Sequence, residues 1–147
     1  MKTLFISLSL LASSIFSNAA HINTTISPSA LTSFEASFTK AKEIAWQDMG
    51  TMYKVNFLLD GISATAFYQP DGKLIGFTKK LSTLSLPSSL KKALQKELKN
   101  KWITDLVVLT NEEGTSYFVN LEDADNKMVL KSVNNKKWAF YSKETKL

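Results

Sequence analysis

The chain has 147 residues, 44% apolar, 11% aromatic and 21% charged, with a formal charge of +5. That is the size and composition of one globular domain, not of a disordered or collagen-like chain. Cysteine is absent and His21 is the single histidine. This excludes disulfides, thiolate zinc sites, a cysteine nucleophile, a cysteine-linked lipid and a polyhistidine metal centre, and leaves little for a Ser-His-Asp triad.

Residues 1–20 have the three-part pattern of an export signal: Lys2 as positive head, an apolar run from Leu4 to Phe16, then small residues at Ser17–Ala20. Cleavage is expected near Ala19/Ala20, which frees the product into a periplasm or the medium. No stretch reaches the ~18–20 apolar residues of a spanning helix, so stable membrane insertion is not expected. The expected division is a signal peptide over 1–20 and one domain over 21–147.

In chain order, a first helix is predicted after Ser27, with Pro28 at its first position and Ile26 stapled onto Leu31. Leu31, Phe34 and Phe38 then recur at helical spacing. Strand-like runs follow at Ile44–Asp48, Thr51–Leu59, Ile62–Gln69 and Lys73–Leu81, separated by glycine turns at Gly50, Gly61 and Gly72. Leu86-Pro87 opens a second helix whose Leu90, Ala93, Leu94 and Leu98 share a face. Trp102–Thr110, Thr115–Leu121, Asn126–Val133 and Lys136–Tyr141 read as four further strands.

The halves match at a nearly fixed offset. Gly50-x-x-Tyr53-x-Val55-x-Phe57 recurs as Gly114-x-x-Tyr117-x-Val119-x-Leu121. The chain therefore reads as α+β: two tandem repeats, about 27–83 and 84–147, each a helix plus a four-stranded antiparallel meander, with the helices on one face of the sheet. The core is expected to hold Trp46, Tyr53, Val55, Phe57, Tyr117, Val119 and Leu121, beneath Leu31, Phe34, Phe38, Leu90, Leu94 and Leu98.

These residues carry a family resemblance. Phe34 and Phe38, Trp46, Tyr53-x-Val55-x-Phe57, Ala66-x-Tyr68 and Asp71-Gly72-Lys73-Leu74 resemble the PepSY-like family. Leu86-Pro87-x-x-Leu90 and Tyr117-Phe118-Val119 extend the match over nearly all of the chain beyond residue 20. Within that family the sequence looks like the beta-lactamase-inhibitor-like (BLIP-like) group exported by Bacteroidetes-type bacteria. The resemblance implies repeats joined in one curved sheet, and a binding or inhibitory role rather than catalysis. It transfers no functional residue, because the matched positions are core and turn positions.

Several motifs invite chemistry and lack its partners. S-x-x-K occurs at Ser37–Lys40, Ser88–Lys91 and Ser89–Lys92, without the S-D-N and K-T-G elements that acyl-enzyme chemistry needs. Glu122-Asp123-Ala124-Asp125-Asn126 is calcium-like in composition, but Met128 and Asn134 stand where such a loop needs Gly and Glu. His21 would sit in a terminal tail. The lysines at 91, 92, 96, 99 and 101 form a basic face on the second helix, yet all 18 basic residues are Lys. Without arginine's bidentate fork, and with export expected, nucleic acid is not an expected partner. No catalytic residue, metal or cofactor is expected.

Alternation along the strands places Tyr53, Val55 and Phe57 toward the helices and leaves another set on the opposite face. The candidates there are Met52, Lys54, Phe67, Phe77, Lys79, Phe118, Lys131 and Tyr141, with Ile75, Lys127 and Val129 beside them. Aromatics interleaved with lysines make a platform for a protein or peptide of the cell envelope. The same pattern would also serve sheet stability through cross-strand aromatic pairs. The leading expectation is a non-enzymatic, inhibitor-like binding module. A periplasmic carrier of a small ligand or peptide, or a component of an envelope sensor, is the alternative. An enclosed apolar cavity would favour the alternative, and a pocket of perturbed titratable groups would favour an enzyme.

Overall fold

The computed structural model describes residues 25–146. The expected export signal and His21 lie outside them. Helix α1 (Pro28–Ser37) leads into strands β1 (Ala41–Asp48), β2 (Tyr53–Leu59), β3 (Ile62–Tyr68) and β4 (Leu74–Lys80). A short 3-10 turn (Thr83–Ser85) and helix α2 (Ser88–Glu97) precede β5 (Trp102–Asn111), β6 (Gly114–Glu122), β7 (Asn126–Ser132) and β8 (Ala139–Thr145). The eight strands form one open antiparallel sheet in sequence order.

Helix α1 starts as its sequence dictates. The Ser27 hydroxyl accepts from the Ala30 amide at 3.2 Å and donates to the Pro70 carbonyl at 2.6 Å, so one side chain caps the helix and pins it to the β3–β4 turn. Gly72 makes that approach possible. A Cβ there would lie 2.7 Å from the Ser29 carbonyl oxygen, and its φ of +90° is already left-handed. Helix α2 follows Pro87 without a side-chain cap.

Register decides which residues share a face, because directly paired residues project to the same side. Val55 pairs with Ala66, Ala66 with Phe77, and Phe77 with Thr110, so Val108 and Leu106 on β5 lie on that side too. The side carries two cores. Ala30 and Phe34 of α1 bury Val55, Phe57, Ala64, Ala66 and Tyr68. Leu90 and Leu94 of α2 bury Leu106, Val119, Leu121 and Leu130, with Leu86 beside them. Both helices therefore cover one face. Phe34 sits at the hub of the first core, 5.0–6.4 Å from the rings of Phe38, Trp46, Phe57 and Tyr68.

The structure corrects the expected core and strand ends at particular places. Leu31 is 36% exposed, whereas Ala30 is fully buried, so Ala30 takes the place expected of Leu31 in the α1 stripe while Phe34 and Phe38 keep theirs. Trp46, Tyr53, Tyr117, Phe38 and Leu98 flank the cores, partly buried. The last strand begins at Ala139 rather than Lys136 because the Asn134 side chain accepts from the amides of Lys136 and Lys137 and holds them in a turn. Lys54, Phe67, Phe118, Lys131 and Tyr141 are on the uncovered side, but Phe77 and Lys79 are not. Lys79 pairs with Ala64, and the Phe77 ring packs on Phe38 and Phe57 against the first core. The cause is a bulge at Ile75: Tyr68 pairs with Leu74 but Phe67 with Gly76. A one-residue slip reverses every side chain beyond it.

Candidate functional site

The uncovered face divides into a polar half and a more apolar half. On β2–β4 it presents Lys54, Asn56, Thr65 and Thr78 around Phe67, with the Thr65 hydroxyl donating to Asn56 Oδ1 at 2.8 Å. Lys54 and Phe67 are direct cross-strand partners. Beside Phe67 is Gly76, which adds no side chain. Met52 lies in the β1–β2 turn, its carbonyl accepting from the Met49 amide, so it stands outside the strand to which it was assigned.

On β5–β8 the same face holds Val107, Phe118, Lys131 and Tyr141. Phe118 pairs with Val107 on one side and Lys131 on the other. β8 carries a bulge at Tyr141, between the Leu130–Phe140 and Val129–Ser142 pairs, and its ring meets Phe118 edge-on at 5.5 Å. The Lys131 ammonium stands 5.3 Å from the Phe118 ring centre and 5.9 Å from that of Tyr141, so two aromatic faces hold one cation. Phe118 is only 4% exposed, while Tyr141 is 42% exposed and forms the accessible part of the cluster.

The sequence reading missed Val107 and Leu109 on this face. The signal was present: Leu106-Val107-Val108-Leu109 does not alternate, and an unbroken apolar run marks a strand with apolar neighbours on both sides. It also missed a latch at the chain's end. The Lys146 ammonium donates to the Asp123 carbonyl at 2.7 Å, pairs with Glu122 at 2.9 Å and sits 4.9 Å over the Trp102 ring.

The motifs that invited chemistry are occupied otherwise. Ser37 donates to the Ser33 carbonyl, Ser89 to that of Asn135, and Lys91 to that of Leu84, so the S-x-x-K pairs are spent on backbone contacts. In the acidic loop, Asp123 Oδ1 accepts from the amides of Asp125 and Asn126 and from the Asn126 side chain. Those bonds, that from the Asp125 amide foremost, hold the Asp123 carboxyl below its usual range. Among the described residues no His, Asp or Glu side chains gather into a metal-binding group. The Tyr68 hydroxyl is buried with no partner in hydrogen-bond geometry among the described residues. Burial pushes its pKa up, and the nearby Ser37 hydroxyl lowers it only in part, its own proton going to Ser33. Packed among Phe34 and Trp46, Tyr68 belongs to the core.

An open antiparallel sheet with two helices on one face defines the class by architecture. Solved structures share it. A BLIP-like protein from Bacteroides fragilis NCTC 9343 matches with a TM-score of 0.71 at 19% identity, over 83% of this chain and 87% of that one. A DUF2874 family protein from Bacteroides ovatus ATCC 8483 gives 0.72 at 15% identity, over 83% and 89%. A protein from Bacteroides eggerthii DSM 20697, provisionally named periplasmic, gives 0.73 at 12% identity, over 83% and 90%. No protein-family model matches the sequence, and no curated protein does. The chain thus has the BLIP-like fold, which bears out that part of the resemblance at the level of fold. Among the described residues no helix is long and apolar enough to cross a membrane.

Proposed function

We propose that this is an exported, non-enzymatic binding module of inhibitor-like type, which engages a protein or peptide of the cell envelope through the face opposite the helices. The observation that carries the reading is the cluster of Phe118, Lys131 and Tyr141, with Phe67 and Lys54, on the side that no helix covers. The fold shared with a BLIP-like protein supports a binding role. The provisionally periplasmic neighbour, and the Lys2, Leu4–Phe16, Ser17–Ala20 pattern, support export.

In this reading residues 1–20 are removed and the remainder is one unit built from two copies of a helix and meander. A repeated contact supports the duplication. Ser27 at the start of α1 donates to the Pro70 carbonyl in the β3–β4 turn, and Ser89 at the start of α2 donates to the Asn135 carbonyl in the β7–β8 turn. The face itself is well suited to docking. Tyr and Phe bring contact area with few rotatable bonds, and lysines around them speed encounter with an acidic surface.

The test places a photoreactive benzoylphenylalanine at position 67 or 141, and at position 92 on the helix side, in the protein expressed with its first 20 residues. Crosslinks to a discrete envelope protein should form from 67 and 141 and not from 92. Crosslinks from 92 alone would move the binding surface to the helices. Intact mass of the exported product checks the cleavage, and a mass that retains Met1 would refute it.

A further inference from the structure

We infer that the partner of this face is an acidic, extended peptide segment with aromatic side chains, gripped at two points by a duplicated lysine-aromatic pair. The inference rests on the binding reading above and names the chemistry of its occupant. Lys54 on β2 is the direct cross-strand partner of Phe67 on β3. Phe118 on β6 is the direct partner of Lys131 on β7. One fixed offset separates Lys54 from Phe118 and Phe67 from Lys131, so the same pair occupies the same place in each half with its residues exchanged. A lysine and an aromatic residue are thus direct cross-strand partners twice on one surface.

Charge complementarity selects an acidic occupant. Two of the face's own carboxylates are already engaged, Asp105 with Lys80 at 3.6 Å and Glu122 with Lys146 at 2.9 Å, and Glu144 is the cross-strand partner of another lysine, Lys127. Among the described residues no carboxylate pairs with Lys54 or Lys131. The rings beside Lys131 hold its ammonium in place, which lowers the entropy lost when a carboxylate binds it. Phe67 is half-buried and Tyr141 more exposed, so each point keeps a ring surface to cover.

Spacing selects an extended peptide. The two pairs lie four strands apart and are displaced by four residues along the strands, as β5 shows by carrying Asn111 in one row and Val107 in the other. Strand spacings of ~4.8 Å and ~3.3 Å per residue put them about 23 Å apart. An extended chain spans that distance in about seven residues. The straight path between them crosses β4 near Thr78 and β5 near Leu109, which are direct cross-strand partners on the uncovered face.

The experiment titrates fluorescently labelled synthetic peptides into the protein and follows anisotropy. A peptide with two Glu-Tyr units seven residues apart should bind at least about tenfold tighter than one with a single unit, because the second contact is intramolecular. Lys54→Gln and Lys131→Gln should each weaken it about tenfold, and higher salt should weaken it further. Lys91→Gln with Lys92→Gln, on the helix, should leave it unchanged. Equal binding of a peptide with Lys in place of Glu, or loss through the helix pair alone, would overturn the inference. So would phosphatidylglycerol vesicles bound through Lys54 and Lys131 when no peptide binds, which would assign the face to a lipid surface. If every acidic peptide fails while crosslinks still form from positions 67 and 141, the acidic chemistry is wrong and the binding face stands. Failure of both removes both.

Discussion

Replacing Phe34 by alanine tests the packing scheme at its hub. Phe34 is 2% exposed and its ring meets four others, three of them edge-on at 5.4, 5.0 and 6.4 Å. Truncating a buried phenylalanine removes transfer energy and leaves a cavity, a cost of about 3–5 kcal/mol. The rigid β2–β3 floor of Val55, Phe57 and Ala66 cannot collapse into the gap, which favours the upper part of that range. The edge-on geometry of each ring pair adds up to ~1 kcal/mol beyond area. Against a total stability of about 5–15 kcal/mol the variant should remain folded but with little margin. Urea denaturation followed by tryptophan fluorescence, to which Trp46 at 5.4 Å from Phe34 contributes, reads the loss, with an unchanged m-value confirming that the native state is intact. Leu31→Ala, three residues earlier and 36% exposed, should cost under ~1 kcal/mol. Equal losses at 31 and 34, or a loss below ~1 kcal/mol at 34, would refute the assigned phase of α1.

Two further predictions concern turns. Gly72→Ala and Gly50→Ala both force a left-handed backbone on a side chain, a cost of about 1–2 kcal/mol, but only position 72 meets a wall, so it should lose at least ~1 kcal/mol more in the same urea assay. Asp123 has a native pKa below its unfolded one, so its contribution is present above the unfolded value, about 4, and is lost as pH falls through the native value. Melting temperatures of wild type and Asp123→Asn should therefore differ at pH 7 and converge toward pH 2; a constant gap would show that the carboxylate charge does not matter.

Much of the fold is written in local chemistry. Ser27 before Pro28, and acidic residues before Gly61 and Gly72, place α1 and the hairpins because caps and positive-φ turns depend on one or two residues. Alternation found the faces of β2, β3, β6 and β7, where the ladder is regular. The burial of Ala30 in place of Leu31 was less legible. Ala30 is fully buried although its side chain is small, since it is the sheet's closeness that selects it, and nothing within ten residues of helix reports that closeness.

The binding face shows what alternation cannot carry. Phe77 and Tyr141 occupy comparable positions, in the fourth strand of each half, and parity alone treats them alike. In β4 the extra residue Ile75 precedes Phe77 and turns its ring into the first core, onto Phe38 and Phe57. In β8 the extra residue is Tyr141 itself, and its ring stays outside, edge-on to Phe118. A bulge is set by how two strands meet, not by either strand's own sequence, so its place is decided in the assembled sheet. The consequence for binding is an asymmetry between the two lysine-aromatic pairs. The Lys131 ammonium is held between two rings, whereas Lys54 is flanked across the strands by Phe67 on one side and Gln47 on the other. If the face binds as proposed, the Lys131 point is the preorganised one, and the Lys54 point has to order its lysine when the partner arrives.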